Sequence, residues 1–292
     1  MSHPFHIVDV FARRTYTGNQ LAVVTDASDL DSDQMQGIAA EIDYSETTFV
    51  TGEPTEHGWP VRIFTPTAEI PFAGHPTLGT AAVIREHLAQ RPGERVVLDL
   101  EVGAIPVEVR THDGQETLWM NQQEPTLGPE LAVTDLASVL GVDSDVIADA
   151  SPVQVVSTGL PAIIVPLSDR ETLEGISLDR AAYDRITAAC GADLVLGYCT
   201  EPRDADNDLA VRVFAPGLGV PEDPATGSAN GCLAAYLSHH EILGSADVDV
   251  RVEQGYELGR PSLLLLSAES TNGTIDVDVG GRVVPVAEGE LL

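Results

Sequence analysis

Three ionisable side chains stand in segments whose residue types suit proton chemistry. Glu46 lies in Tyr44-Ser45-Glu46-Thr47-Thr48, at a predicted helix-to-strand junction beside apolar Phe49-Val50. His75 follows Gly74 in Gly74-His75-Pro76, and Asp223 opens Asp223-Pro224-Ala225-Thr226-Gly227-Ser228. Moving a proton at carbon needs a base that can hold the proton and return it. A carboxylate partly removed from water has a raised pKa suited to that task. By type and position alone, Glu46 could equally be one of many surface acids and His75 a structural cap. Both glycine-containing segments read as helix starts, which offer unpaired N–H groups and the positive end of the helix dipole. Such starts could hold a small carboxylate, since glycine lets a ligand approach the backbone, or could be simple caps of two helices.

The elements that must position these groups recur. Val61-Arg62-Ile63-Phe64-Thr65-Pro66 returns as Val211-Arg212-Val213-Phe214-Ala215-Pro216, and His75-Pro76-Thr77-Leu78-Gly79-Thr80-Ala81 is matched by Asp223-Pro224-Ala225-Thr226-Gly227-Ser228-Ala229. Two copies indicate a domain duplication and not a solenoid. In each copy the pattern is strand, loop, helix. Val61–Phe64 and Val211–Phe214 alternate as strands, ended by Pro66 and Pro216. Thr77–Gln90 and Ala225–His240 carry small and apolar residues at helical spacing. Pro76 and Pro224 suit a first helical turn, which places His75 and Asp223 at or near the N-cap.

Elsewhere, Phe5–Phe11, Leu21–Val24, Thr47–Val50, Val96–Leu100, Val107–Arg110 and Thr117–Met120 read as strands, and Asp31–Ile42 as a helix capped by Asp31 or Ser32. Leu127–Pro129 reads as a boundary between halves. Beyond it, Val153–Ser157, Ile163–Val165, Leu194–Cys199, Val248–Val252, Leu263–Ser267 and Ile275–Val279 read as strands, with helices at Leu136–Leu140 and Arg180–Cys190. The predicted N-terminal domain spans 1–125, with a C-terminal strand at about 281–292 available to join it, and the second domain spans 126–280.

The 292 residues carry 46 acidic and 15 basic side chains, a net charge of −31, and every basic residue is Arg. That balance disfavours nucleic acid and anionic membranes as partners. Charge so dispersed repels itself unless screened, and at about 1 M salt the Debye length is only about 3 Å. The composition thus predicts a salt-rich, cytoplasmic setting. No apolar run approaches a membrane span of roughly 20 residues, and the N-terminus lacks a signal-peptide pattern. Cys190, Cys199 and Cys232 are an odd, low count that argues against a disulfide framework and reads as buried thiols.

Neither H-E-x-x-H nor C-x-x-C occurs, so no metal site is expected. There is no phosphate-binding loop, no G-x-G-x-x-G after a strand and no G-x-S-x-G elbow. Without lysine the chain cannot form a Schiff base with pyridoxal phosphate. No cofactor is expected.

Asp9-Val10-Phe11, Gly18-Asn19-Gln20-Leu21-Ala22-Val23, Ser45-Glu46-Thr47-Thr48-Phe49, Phe72–Ala81 and Asp223–Ala229 together resemble the phenazine biosynthesis-like (PhzF) family, relatives of diaminopimelate epimerase. The resemblance covers nearly the whole chain. It implies an α+β fold of two similar domains, each a β-barrel-like sheet around a central helix, with the active site between them. It also implies cofactor-free proton chemistry and a homodimer. Glu46 matches the family's proton-shuttling glutamate, His75 and Asp223 its flanking polar residues, and Gly74, Gly227 and Ser228 the groups that hold the substrate carboxylate. Related epimerases use a thiol from each domain, but none of the three cysteines stands in those loops. An isomerase of a small carboxylate metabolite is the leading expectation. An epimerase or racemase of an amino or hydroxy acid, and a non-catalytic binding protein for a small acid, remain open.

Overall fold

A computed structural model of the protein describes residues 2–89, 93–148 and 151–292. Its contacts divide into two compact units, Met1–Met120 with Gly280–Leu292 and Asn121–Val279. Among the described residues no helix is long and apolar enough to cross a membrane.

The first unit runs β1 (His3–Val10), β2 (Asn19–Val24), α1 (Ser32–Ile42), β3 (Thr47–Val50), β4 (Trp59–Phe64), β5 (Glu69–Ile70), α2 (Gly74–Val83), β6 (Arg95–Leu100), β7 (Gly103–His112) and β8 (Gln115–Asn121), with the C-terminal strand β18 (Val283–Leu291) laid antiparallel on β1. The pairing alternates in a set way. β1–β2 is antiparallel, β2–β3 parallel, β3–β4 and β4–β5 antiparallel, β4–β6 parallel and β6–β7 antiparallel. The parallel β2–β3 step needs a crossover, and α1 supplies it. Asp31 caps α1 by accepting from the Gln34 backbone N–H, while the Gln34 side chain accepts from the Asp31 N–H. This reciprocal box fixes where the helix begins. Met35 and Ala39 then bury against Phe49 and Phe64, whose rings meet edge-on at 5.4 Å.

The second unit runs β9 (Thr126–Glu130), α3 (Val133–Leu140), β10 (Gln154–Ser157), β11 (Pro161–Pro166), α4 (Arg170–Gly175), α5 (Arg180–Cys190), β12 (Leu194–Cys199), β13 (Leu209–Ala215), β14 (Val220–Asp223), α6 (Gly227–His239), β15 (Val248–Gln254), β16 (Ser262–Thr271) and β17 (Thr274–Gly281). Here β10–β11 is antiparallel, β11–β12 parallel, β12–β13 and β13–β14 antiparallel, β13–β15 parallel and β15–β16 antiparallel. That is the pairing order of the first unit. The repeated sequence blocks occupy the same two places in it, the strand β4 or β13 and the following buried helix. The crossover differs, because α4 and α5 stand between β11 and β12 where the first unit has α1 alone.

Each buried helix is enclosed by its own unit's strands. α2 touches β1, β2, β3, β6, β7 and β18, and α6 touches β10, β11, β15 and β16. A helix covered on most sides has no polar face, and both sequences, GHPTLGTAAV and GSANGCLAAYLSH, are accordingly small and apolar nearly throughout. Gly79 shows how close the approach is. A Cβ there would lie 2.5 Å from Leu21 Cδ2 and 2.9 Å from Val10 Cγ2.

Several sequence expectations are corrected. Leu127–Pro129 is part of strand β9, paired with β10, and not a boundary. Gly128 and Pro129 disguise it; the pairing is irregular between Gln154 and Val156, and Gly128 sits against Val155. α2 starts at Gly74, with Ala73 and not His75 as its N-cap, and α6 starts at Gly227, with Thr226 and not Asp223 as its N-cap. Pro76 lies in the first turn of α2, whereas Pro224 precedes α6 altogether. At its far end α2 widens into a π-helical turn at Ile84–Leu88, closed by Ala89 N–H donating to Ile84 O at 2.8 Å. Gln90, where the sequence places the end of this helix, lies outside the described residues.

Candidate active site residues

Glu46 stands immediately before β3, after a chain reversal in which Asp43 adopts φ +57° as the C-cap of α1. Its side chain is 17% exposed, and Oε2 lies 3.5 Å from Nε2 of His75, on the first turn of α2. The pair is fixed from both sides. Two residues along β3, the Thr48 hydroxyl hydrogen-bonds the Thr80 hydroxyl of α2 at 2.7 Å, and both are buried. His75 Nε2 also faces the Gln20 carbonyl at 3.3 Å. Both neighbours of Nε2 are acceptors, so Nε2 carries the ring proton and donates. Burial lowers the His75 pKa to about 3, opposed only by the bond to Gln20. The contact is therefore a neutral imidazole against a carboxylate and not an ion pair. With a folded pKa of about 3 and an ordinary value of 6.5, the unfolded chain binds a proton here that the folded chain does not. Stability tied to this group is full above pH 6.5 and falls as the pH drops through that window.

Gln20, the second residue of β2, belongs to the Gly18-Asn19-Gln20 motif and pairs across the sheet with Asp9 of the Asp9-Val10-Phe11 motif. Buried Asp9 accepts from the Tyr16 backbone N–H at 2.6 Å. Phe11 and Tyr16 sit at φ +59° and +66°, a region that costs a non-glycine residue energy. The motifs thus act through the backbone, setting the carbonyl that orients His75.

In the second unit Asp223 ends β14 and Oδ2 accepts from the Thr226 hydroxyl at 2.5 Å. The organising group is one the sequence reading missed, the buried amide of Gln254 at the end of β15. Its Oε1 accepts from Thr226 N–H at 3.1 Å and Asn230 Nδ2 at 2.9 Å. Its Nε2 donates to the Asp223 carbonyl at 2.8 Å and to the Thr226 hydroxyl at 3.1 Å. One side chain so fixes the segment from Asp223 into the first turn of α6, which carries Gly227 and Ser228. Gly255, next in the chain at φ +77°, leaves room for this closeness, since a Cβ there would lie 2.5 Å from Pro224 O. Nothing in a local pattern marks Gln254, because its partners lie 24 to 31 residues away. Replacing it with Ala strips partners from buried groups, at about 1–3 kcal/mol for each left unsatisfied. Denaturant unfolding should show a loss in that range, and a change under about 0.5 kcal/mol would contradict the clamp.

Glu46, Gly74 and His75 are thus brought together in the first unit, and Asp223, Gly227 and Ser228 in the second. The first-turn N–H groups of both helices lack intrahelical partners, as at any helix start, although Pro76 removes one donor from α2. The thiols are placed for packing. Cys199 and Cys232 are buried, which pushes both thiols above their ordinary pKa, and Cys232 Sγ lies within α6, 3.6 Å from the Thr158 hydroxyl.

A family model described as "Phenazine biosynthesis-like protein" matches residues 8–289. Trans-2,3-dihydro-3-hydroxyanthranilate isomerase of Pseudomonas aeruginosa is 32% identical over 98% of this chain and 98% of its own. An uncharacterized isomerase of Mesorhizobium japonicum is 34% identical over 98% of this chain and 97% of its own. A PhzF-family phenazine biosynthesis protein of Bacillus anthracis superposes with a TM-score of 0.92 at 25% identity, covering 100% of this chain and 99% of its own. A hydroxyproline epimerase of Agrobacterium vitis, at 10% identity and a TM-score of 0.62, shares the fold. Motifs, fold and relatives agree over the full length, and the chain belongs to the phenazine biosynthesis-like family of isomerases.

Proposed function

We propose that the protein is a cofactor-independent isomerase that moves a proton between carbons of a small carboxylate metabolite, with Glu46 as the general acid and base. The observation that supports this most is the half-buried Glu46 carboxylate held 3.5 Å from a buried, neutral His75 at the start of a helix. In this reading the Glu46 carboxylate takes a proton from a substrate C–H, becoming the carboxylic acid. The electron pair left behind delocalises through the adjacent unsaturation, and Glu46 returns the proton to a second carbon. The neutral Nε2–H of His75 fits the role of a donor that orients the carboxylate, because it neither titrates nor competes for the proton near neutral pH. The helix-start N–H group at Gly74, one residue from His75, is assigned to the substrate carboxylate, as the family resemblance implies. The named substrate of the Pseudomonas aeruginosa relative is an anthranilate, itself a carboxylate.

Incubation with candidate carboxylates in deuterium oxide, followed by NMR, tests the reading. Isomerisation with deuterium entering at the product carbon is the expected result. Exchange at one carbon with inversion there would replace the isomerase with an epimerase. Binding without exchange at any carbon would leave a binding protein.

The −31 charge leads us to propose further that the enzyme works in high salt. Its field opposes an anionic substrate at long range. At about 1 M salt that field is screened within about 3 Å, leaving the helix-end attraction to act at contact. The thermal midpoint and substrate affinity should both rise as KCl is raised from low to molar concentration. A midpoint that stayed flat or fell would contradict the salt-adapted reading.

A further inference from the structure

Outside the residues used above, the first unit gathers a second set of chemically able side chains. His6 on β1 lies directly opposite Glu288 on β18 in the antiparallel register, so both side chains leave the sheet on one face. His87 comes to the same place from the π-helical turn at Ile84–Leu88. The His6 and His87 rings stack with centroids 4.1 Å apart and 26° between their planes. One nitrogen of each ring and a Glu288 carboxylate oxygen lie within 4.8 Å of one another. Glu86 adds negative charge, with a carboxylate oxygen 3.9 Å from His87 Nε2.

We propose that His6, His87 and Glu288 form a binding site for a borderline divalent transition-metal ion such as Zn2+. Two imidazoles and a carboxylate are a donor set such ions favour. Bonds of about 2.0–2.2 Å at tetrahedral angles hold donor atoms roughly 3.4 Å apart. The donor atoms need therefore close by little more than an ångström and the stacked rings tilt apart so that their in-plane lone pairs converge, and His87 and Glu288 are exposed enough to move. The spacing 6, 87 and 288 shows no metal pattern in the sequence, because three separate elements each contribute one donor. The bound ion would tie the C-terminal strand, the N-terminal strand and the far end of the segment that begins at Gly74-His75, making the site a structural clamp independent of the proposed proton chemistry.

The full-length protein, freed of metal with a chelator, is to be titrated with Zn2+ by calorimetry, and its thermal midpoint followed with and without the ion. Co2+ in place of Zn2+ reports coordination through its visible absorption. One equivalent of Zn2+ per chain, a raised midpoint and tetrahedral Co2+ bands are the expected results. H87Q and E288Q alter exposed side chains, keep the fold, and should each weaken Zn2+ binding at least ten-fold and remove the rise in midpoint. No saturable binding by the wild-type protein would overturn the proposal. So would binding undiminished in both variants, which would place the ion elsewhere, for example at His239-His240.

Discussion

Glu46→Gln should lower kcat by about 10²–10⁴-fold, the contribution a positioned acid–base group makes, while the dissociation constant for substrate changes less than ten-fold. Gln keeps the size of Glu and an oxygen acceptor for the Nε2–H of His75, so the local geometry survives. What it loses is the ability to take a proton from carbon and give it back. Deuterium entry at the product carbon should fall in step with turnover, because both pass through the same carboxylic acid. The thermal midpoint should stay near that of the wild type, which separates lost chemistry from lost fold. A variant turning over within ten-fold of the wild-type rate would remove Glu46 from the mechanism. His75, neutral down to about pH 3, should contribute no inflection to the pH–rate profile in the working range.

Arg212→Ala should cost about 3–5 kcal/mol of stability in denaturant unfolding, the usual result of removing one partner from a buried ion pair. The guanidinium pairs with both oxygens of Glu222 at 2.8 Å, and its other nitrogen donates to the carbonyls of Leu173, Glu174 and Ile176 at the end of α4. Removing it strands a carboxylate and takes a donor from three carbonyls, of which Leu173 O keeps the Ile176 N–H, in a place where Arg212 and Glu222 are 8% and 14% exposed. The repeat offers its own control. Arg62 occupies the matching position in the first unit, pairs with both oxygens of Glu69 at 2.6 Å, and lies over the Phe64 ring at 5.1 Å as Arg212 lies over Phe214 at 5.0 Å. That pair, however, is 31% and 36% exposed, so water screens it. Arg62→Ala should cost no more than about 1 kcal/mol. Equal losses in the two variants would show that burial does not set the value of the motif. Activity should fall further in the Arg212 variant, because Glu222 immediately precedes Asp223 and the pair anchors β14 against β13.

The contrast between the two arginines shows where reading residues in order reaches its limit. The repeated Val-Arg-Ile/Val-Phe block was legible as a strand in both places, since alternation of residue type is a property of the chain itself. That each Arg would reach a glutamate on the next short strand depended on the hairpin closing. The burial of one pair depended on α4, from whose end three carbonyls converge on Arg212, whereas Arg62 meets the Ser32 hydroxyl at the start of α1. The helix starts followed the same division. Small residues, glycine and proline announced both, but a local pattern did not decide whether the polar residue would be the cap. Ala73 and Thr226 took that position, each three residues past the end of the preceding strand, β5 or β14.

The sequence by itself determined the family, the alternation of strands and buried helices, the extreme acidity and the identity of the candidate proton carrier. All of these are carried by residue types in short, contiguous motifs or by composition, where the physics is local. Only the tertiary structure decided that His75 is buried and neutral, with its Nε2 against the Gln20 carbonyl and 3.5 Å from the Glu46 carboxylate. It alone placed Gln254 beneath Asp223 and Thr226, and brought His6, His87 and Glu288 together. Desolvation and convergence are sums over neighbours distant in the chain, and they take a value only once strands are paired and the helices enclosed.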